Sequence, residues 1–499
     1  MKPPRFAKAA NAGLGRIEAA TSLDTPGYAV ETAMARPAQI AGSPAQRLGN
    51  ALHGTWFGHP IHPMLVTLPL GSWTLAFGLD LLAALGFRTR ATERTADTAL
   101  RAGAAGAVAA AAAGMADWQH TNGRDRRVGT VHALVNGTAL ALHVASIALR
   151  GRGQLREGRM ASAAGWACMV VGGYLGGHMV YRRRIGVDQA DRSPEPRDFQ
   201  PVLPLAELEE NRPRRVEVWD GIERKTIGIV LVRQGARVHA MGARCSHMGG
   251  PLDQGWVLGG TLVCPWHGSR YDLETGWPVS GPSTCPQPRY AVRLQHGMVE
   301  IRRQQEPGDE VVTTARPAHA PMSAPDARLR QAPRDQAPQA RKADEVLFEH
   351  HQLIRRLFET ILATPGEDPQ RRDLLRTLAS ELEIHEHVED HIFYPAVHPV
   401  SEDVPIAHSE HRQLSDLLAE TLKLNTASPE FEEHLRALYA AMDHHAGSEE
   451  RSMFREAQRL GDARLRELGQ ALEEMLEDQR TSRARRAFRD LKIRLLEGF

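Results

Sequence analysis

Cys245–His267 reads CSHMGGPLDQGWVLGGTLVCPWH, a Cys-x-His and a Cys-x-x-His half-motif with sixteen residues between His247 and Cys264. Two thiolates and two imidazoles can hold one tetrahedral metal such as zinc, or one [2Fe–2S] cluster with sulfur on one iron and nitrogen on the other. The surroundings bear on that choice. Each half-motif lies in a Gly/Pro-rich loop, HMGGP at 247–251 and PWHGS at 265–269. β-type runs flank them, IGIVLV at 227–232 and YAVRL at 290–294. This pattern predicts two metal-binding loops on a small antiparallel sheet rather than a helical zinc finger.

Over about residues 199–303 the arrangement resembles the Rieske [2Fe–2S] domain, and the Cys-x-His followed by CPWHGSRYD and GWPVSGPST is specific to it. The resemblance implies Cys245, His247, Cys264 and His267 as cluster ligands, with the two histidines at an exposed tip. Ser269 and Tyr271 resemble the hydroxyl pair that donates hydrogen bonds to a bridging sulfide and a ligating cysteine in high-potential members. Such bonds favour the electron-rich reduced state. The disulfide of the respiratory type is missing, because Gly250 and Trp266 stand where its cysteines would fall. The expectation is an intermediate potential within the Rieske range of roughly −150 to +300 mV.

The chain has 499 residues, enough for two to four domains, and a net charge of +1 that gives no reason to invoke nucleic acid. Four cysteines are too few for a disulfide scaffold. Beyond the two in the motif, Cys168 lies in an apolar stretch and Cys285 has no evident mate. Reduced thiols fit soluble domains facing the cytoplasm. The first thirty residues carry charge without an apolar core, so no cleavable signal is expected.

After a polar leader (1–50), residues 51–185 carry four apolar stretches, Met64–Gly86, Ala99–Ala116, Val131–Leu149 and Met160–Val180, each near the length that crosses a bilayer. A buried soluble bundle is the alternative, and the Arg-rich joints argue against it. Gly172, Gly173, Gly176 and Gly177 form an overlapping small-xxx-small pattern that lets helices approach closely. HGTWFGHPIHPMLVTLPLG (53–71) resembles a family of four-helix bacterial membrane proteins of unassigned function, which implies a multi-pass inner-membrane topology. Arginines load both sides of the stretches almost equally, so the positive-inside rule leaves orientation open.

With four crossings, His59, His62, His120, His132 and His178 fall at one membrane face. His143 follows His132 by eleven residues, about 20° around the helix, on the same stripe but deeper. Intramembrane ionisable groups are costly and mark pathways or ligand sites. The functional reading is haem b ligation or a quinone pocket; the structural one is helix-end histidines bonded to headgroups and carbonyls. Asp80, inside the first stretch, carries the same two readings.

Residues 304–342 are rich in Pro, Ala, Gln and charge and predict an extended tether. Helical periodicity then returns in four segments over 343–460 that read as one helix pair occurring twice. His385 follows His351 by 34 residues, and His445 follows His411 by 34. Glu389 and Glu449 come four after each second histidine, and Tyr394 and Phe454 nine after. Positions four apart share a helix face. Four imidazoles and two carboxylates therefore converge, the donor set of a di-iron site in a four-helix bundle. This resembles the hemerythrin-like cation-binding family. Oxygen-carrying members have two histidines four apart on the third helix; here Ala407 and Ser415 flank His411 at that distance, and His408 alone could substitute. The departure counts against simple oxygen carriage. His350, His387, His391, His434 and His444 read as solvent-facing. Residues 461–499 predict one charged helix, with Leu465, Leu468, Leu472, Met475 and Leu476 available to pack on the bundle.

The fold class predicted is therefore multidomain: a four-helix transmembrane bundle, a small all-β Rieske domain, and a C-terminal α-helical four-helix bundle. The function predicted is membrane-anchored iron–sulfur electron transfer coupled to a di-iron site, with a redox protein or a quinol as partner. A membrane-anchored O₂, NO or iron sensor and a non-catalytic iron-handling scaffold are the alternatives. No nucleotide-binding glycine motif and no oxygenase domain after the Rieske unit were found in the sequence, which argues against a flavin or NAD(P) enzyme and a ring hydroxylase.

Overall fold

Two units make up the chain in a computed structural model, which describes residues 5–24, 26–27, 30, 43–221, 224–304, 341–401 and 403–498. One unit comprises Met1–Gln189 with the loops Ser246–Met248 and Pro278–Pro286; the other comprises Ala190–Cys245, Gly249–Trp277 and Gln287–Phe499. Part of the leader and nearly all of the tether (305–340) lie outside the described residues.

The first unit is helical: α1 (Arg5–Ala19), α2 (Ser43–His53), α3 (Thr67–Ala84), α4 (Arg90–Trp118), α5 (Gly123–Gly151) and α6 (Leu155–Tyr181). Thr89 starts α4 by accepting from the Thr92 amide at 3.1 Å, with the Thr92 hydroxyl returning the bond. Three helical spans, His62–Ala84, Arg90–Trp118 and Gly123–Gly151, are long and apolar enough to cross a membrane. The fourth predicted span is an equally long helix that falls short in composition. Its glycines add length without apolar surface, and Arg156, Glu157 and Arg159 load its first turns. The unit is apolar on the outside, where Leu75, Val108, Leu134 and Val144 are exposed. Its interior holds Trp73, Leu100 and Met169 with glycine, alanine and the buried polar groups Asp80, His143, Ser146 and Arg150. The apolar exterior suits a lipid surround.

Among its described residues the second unit has nine strands, β1 (Gln200–Pro204), β2 (Arg214–Asp220), β3 (Lys225–Gln234), β4 (Arg237–Gly242), β5 (Trp256–Leu258), β6 (Thr261–Val263), β7 (Arg270–Asp272), β8 (Tyr290–Gln295) and β9 (Met298–Arg303), ordered β1-β9-β8, β2-β3-β4 and β5-β6-β7. The paired strands are antiparallel. The unbroken apolar run of β3 is explained by burial on both faces. Ile227, Ile229 and Leu231 pack with Val299 and Ile301, while Val230 and Val232 pack with Cys245, Cys264 and Tyr271. The two cysteines thus pack against one face of a strand whose centre is buried on both.

The helical half of this unit contains α7 (Ala343–Ala363), α8 (Gln370–Val388), α9 (Val404–Leu422) and α10 (Pro429–Ser448). Ser428 caps α10 by accepting from the Phe431 amide at 3.1 Å, and Pro429 occupies the first turn, where its missing N–H costs nothing. Both α8 and α10 run into a π-helical turn, Glu389–Phe393 and Glu449–Met453. The predicted single C-terminal helix is two, α11 (Asp462–Thr481) and α12 (Arg483–Gly498), separated by extended Ser482. Leu465, Leu468, Leu472 and Leu476 bury against the bundle.

Candidate functional site

The two cysteine loops are copies of one another. In each, the cysteine amide donates to the carbonyl five residues on, Cys245 to Gly250 at 2.8 Å and Cys264 to Ser269 at 2.9 Å. The glycine four residues on donates back to the cysteine carbonyl, Gly249 at 2.9 Å and Gly268 at 3.1 Å. Both glycines have positive φ, 84° and 72°, which a side chain would strain. Gly250 is required for space: a Cβ there would lie 2.9 Å from Cys264 Sγ. The Trp266 side chain fills the neighbouring volume, which accounts for the missing disulfide. The Tyr271 hydroxyl lies 3.1 Å from Cys245 Sγ, and both residues are buried. Burial, with Cys245 alongside, pushes the Cys264 thiol well up, while the Trp266 and His267 amides favour its thiolate. Two buried thiols in a glycine-shaped cradle, with amide and phenol donors aimed at sulfur, fit a [2Fe–2S] cluster.

One expectation about this tip changes. His247 is half-buried, but His267 is only 8% exposed. The Gln413 amide of α9 donates to the Pro265 carbonyl at 2.7 Å and covers the loop. Trp256, Leu258 and Val263 join the leucine core of the helical bundle, so apolar packing ties the bundle to the β domain where the tether alone predicts free motion.

The helical bundle gathers all six predicted iron-site residues. Glu389 Oε2 lies 3.4 Å from His385 Nε2, 3.1 Å from His411 Nε2 and 3.5 Å from His445 Nε2, and Glu449 Oε2 lies 3.4 Å from His351 Nε2. The ring nitrogens Nε2 of His351, His385 and His445, with Glu389 Oε1 and Glu449 Oε2, are buried without a hydrogen-bond partner among the described residues. Converging orphaned donors of this kind fit bound metal. The π turns explain the aim: the wider turn begins at Glu389 and Glu449, and such bulges recur at functional sites.

The opposite ring nitrogens are held from behind. His351 Nδ1 meets Glu450 at 3.0 Å, His411 Nδ1 meets Asp390 at 3.1 Å, and His445 Nδ1 meets Glu410 at 3.0 Å. These carboxylates fix ring orientation and raise ligand basicity. His385 is the exception, with His350 edge-on at 5.2 Å and no carboxylate. Burial opposes charge on His351 and His445. Surrounding glutamates nevertheless hold their pKa values at about 10 and about 9. Burial and Glu389 push Glu449 up; burial also opposes charge on Glu389, but the surrounding histidines hold it well below the usual carboxylate range.

Sequence reading missed Glu410, Asp390 and Glu450, although Asp390 and Glu450 stand at matching places in the duplication. It also misjudged two histidines. His350 is buried and bonded to Glu381 at 2.9 Å, and His444 pairs with Glu410 at 3.2 Å, so neither faces solvent. His408 lies 3.1 Å from Asp390, outside the central group. The Tyr394 hydroxyl enters the site, 2.8 Å from Glu449 and 3.1 Å from His411 Nε2.

In the helical unit a cavity of about 610 Å³ is lined mainly by apolar residues together with His53, His62, His132, Asn136, Asp117 and His247. His62 Nδ1 lies 2.8 Å from the Ala110 carbonyl and His132 Nδ1 3.0 Å from the Gly172 carbonyl. His53, which sequence reading passed over, pairs with Asp117 at 2.9 Å. The other predicted membrane histidines are elsewhere. His59 stands 6.4 Å from the Phe57 ring, His178 pairs with Glu18 at 3.2 Å, and His143 stacks on Trp73 at 4.0 Å. His120 lies against His53 at 5.3 Å and edge-on to His247 at 5.6 Å.

Comparison with known proteins agrees with this order of parts. Family models match in sequence: predicted membrane protein (DUF2231) over 58–189, Rieske [2Fe-2S] domain over 198–291, and hemerythrin HHE cation binding domain over 342–457. An uncharacterized protein of Mycobacterium tuberculosis is 32% identical, over 28% of this chain and 88% of that protein. The anthranilate 1,2-dioxygenase ferredoxin subunit of Burkholderia cepacia is 37% identical, over 15% of this chain and 68% of the subunit. A solved hemerythrin HHE domain-containing protein of Mycobacterium kansasii is 32% identical, over 31% of this chain and 98% of that one, with a TM-score of 0.28. The β domain thus supports iron–sulfur electron transfer, and the C-terminal bundle non-haem iron. The chain belongs to the Rieske [2Fe–2S] and the hemerythrin HHE cation-binding families, joined in one polypeptide behind a DUF2231 domain.

Proposed function

We propose that this is a membrane-anchored electron-transfer protein whose Rieske centre exchanges electrons with a quinol-class carrier in the helical unit and with an iron pair in the C-terminal bundle. The observation that carries the reading is the apolar cavity of about 610 Å³, which has His247 in its wall together with His53, His62 and His132. Cys245, His247, Cys264 and His267 would hold the cluster, and His351, His385, Glu389, His411, His445 and Glu449 the iron pair. When bound, these groups supply one-electron chemistry at two centres. The chain's own residues do the rest. Apolar walls exclude water, His53 with Asp117 behind it can take a hydroxyl proton, and His62 and His132 offer Nε2 to a ring oxygen. The contact between Gln413 and Pro265, two residues from His411 on one side and two from His267 on the other, supports exchange between the centres. The apolar helices support a multi-pass inner-membrane location, with the β and iron domains facing the cytoplasm.

A second reading, in which the bundle is a receptor for O₂ or NO, draws support from the Tyr394 hydroxyl inside the iron site, a donor such a ligand could use. The deciding experiment is an anaerobic optical spectrum of the detergent-purified full chain after addition of a reduced quinone. Bleaching of the cluster is the expected result. A cluster that bleaches with dithionite but not with quinol overturns the donor assignment, and a haem band assigns the cavity to haem b instead.

A further inference from the structure

One stripe of polar groups in the helical unit is used by that reading only where it meets the cavity. Along α5, His132, Asn136, Ala139, His143, Ser146 and Arg150 alternate at four and three residues and so form one stripe. Along α6, Gly176, Gly172, Met169, Gly165, Ser162 and Gly158 repeat the pattern in reverse. The stripes face one another. A Cβ added at Gly172 would lie 2.3 Å from the Asn136 side chain, at Gly165 2.9 Å from His143, at Gly158 2.7 Å from Arg150, and at Gly176 3.3 Å from His132. Four glycines on one helix make room for four polar side chains on the other. Close helix packing alone asks only for small residues on both sides.

His143 is the centre of the ladder. It is fully buried, neither ring nitrogen has a hydrogen-bond partner among the described residues, and Trp73 stacks on its face. Burying an imidazole without a partner is costly, and packing against Trp73 would be served as well by leucine. Toward one end of the helices, Trp73, Leu140, Asn136 and His132 line the cavity. Toward the other, the Ser146 hydroxyl donates to the Gly158 carbonyl at 2.6 Å and accepts from Arg150 Nε at 3.1 Å. Arg150 is ion-paired with Asp80 and lies 3.3 Å from Asp97, whose side chain is 42% exposed. Arg159 joins Asp80 at 3.6 Å and Glu93 at 3.3 Å. At 1.5 Å per residue, His132 to Arg150 covers about 27 Å, against a hydrocarbon core of about 30 Å.

We propose that this ladder is a proton path from the cavity to the opposite end of the helices. It rests on the quinol reading for its supply: a quinol oxidised to quinone gives up two electrons toward the cluster and two protons, and the ladder carries protons away. His143 accepts at one ring nitrogen and releases from the other. Beyond Ser146 the contacts run through Arg150 to Asp80 and Asp97, so water admitted beside the guanidinium carries the proton from the hydroxyl to a carboxylate, and Asp97 reaches bulk water.

The test uses the full chain in liposomes with a pH-sensitive dye inside, a potassium diffusion potential set by valinomycin, and no quinone. Wild type should conduct protons well above protein-free vesicles, His143→Leu at least tenfold less, and Ser146→Ala several-fold less. Imidazole should restore flux to His143→Gly, an effect that a packing role would not produce. Flux equal to empty vesicles in wild type, or equal to wild type in His143→Leu, overturns the path. Should His143→Leu lose its helical melting transition, unchanged flux in folded Ser146→Ala overturns the path instead. Because no quinone is present, failure of the quinol reading leaves this flux intact. Failure of the path, conversely, leaves quinol-driven bleaching of the cluster intact.

Discussion

The chain contains two helical regions that bury histidine, and they treat it in opposite ways. In the C-terminal bundle three of the four central imidazoles have a carboxylate behind them, and all four face Glu389 or Glu449. In the N-terminal helices His53 has Asp117 behind it and His178 has Glu18, but His62 and His132 have backbone carbonyls and His143 has an indole face. A carboxylate fixes the tautomer and pushes electron density toward a metal, whereas a carbonyl fixes the tautomer without adding charge. The group behind the ring thus separates the candidate iron site from the stripe of His132 and His143.

The largest test of this contrast is Glu389→Ala. Glu389 lies within 3.8 Å of all four central imidazoles, so its loss should lower total iron from about four per chain to the cluster's about two by elemental analysis. The cluster's EPR signal should not change. In the N-terminal helices the matching break is Asp80→Asn, which leaves Arg150 buried beside a neutral amide. Breaking one side of such a buried pair costs about 3–5 kcal/mol, read as a lower melting temperature of the helices in detergent with both iron contents retained.

Glu410→Ala sharpens the comparison within the bundle. It strips the carboxylate from His445 and should weaken iron binding about 10–100-fold in a chelator competition. His350→Ala, behind His385, should cost less, because no carboxylate is lost from that ring. The smallest effect is in pH. His351 and His445 sit at about 10 and about 9 in the iron-free bundle, above the ordinary value of about 6.5. The stability they contribute is present in full below about 6.5 and is lost as pH rises through 9 and 10, so the melting temperature of iron-free protein should fall across that window. Iron needs neutral imidazoles, so iron uptake at pH 7 should release protons, measurable by calorimetry in buffers of different ionisation enthalpy.

Covalent spacing carried much of this protein into view. Cys245, His247, Cys264 and His267 are legible because each pair lies within one loop, where chain geometry alone keeps ligands together. The repeat of His351–His385–Glu389 as His411–His445–Glu449 is legible because helix period puts residues four apart on one face. The apolar spans were legible by length, though glycine made α6 less apolar than its helical length suggests.

What the sequence by itself determined is thus the order of the three parts; the candidate cluster loops and the six candidate iron-site residues were also legible in it, all of them short-range patterns. Only the tertiary structure decided the rest. Glu410 behind His445, Tyr394 across from Glu449, Gln413 over the Pro265 carbonyl and His53 beside Asp117 are pairs brought together by packing between segments. No periodicity links such partners, because their distance is set by how helices and loops stack. The glycine stripe of α6 was visible as a packing signal, but that it opens opposite His132, Asn136, His143 and Arg150 depends on the register of two antiparallel helices. That register is fixed by side-chain contact.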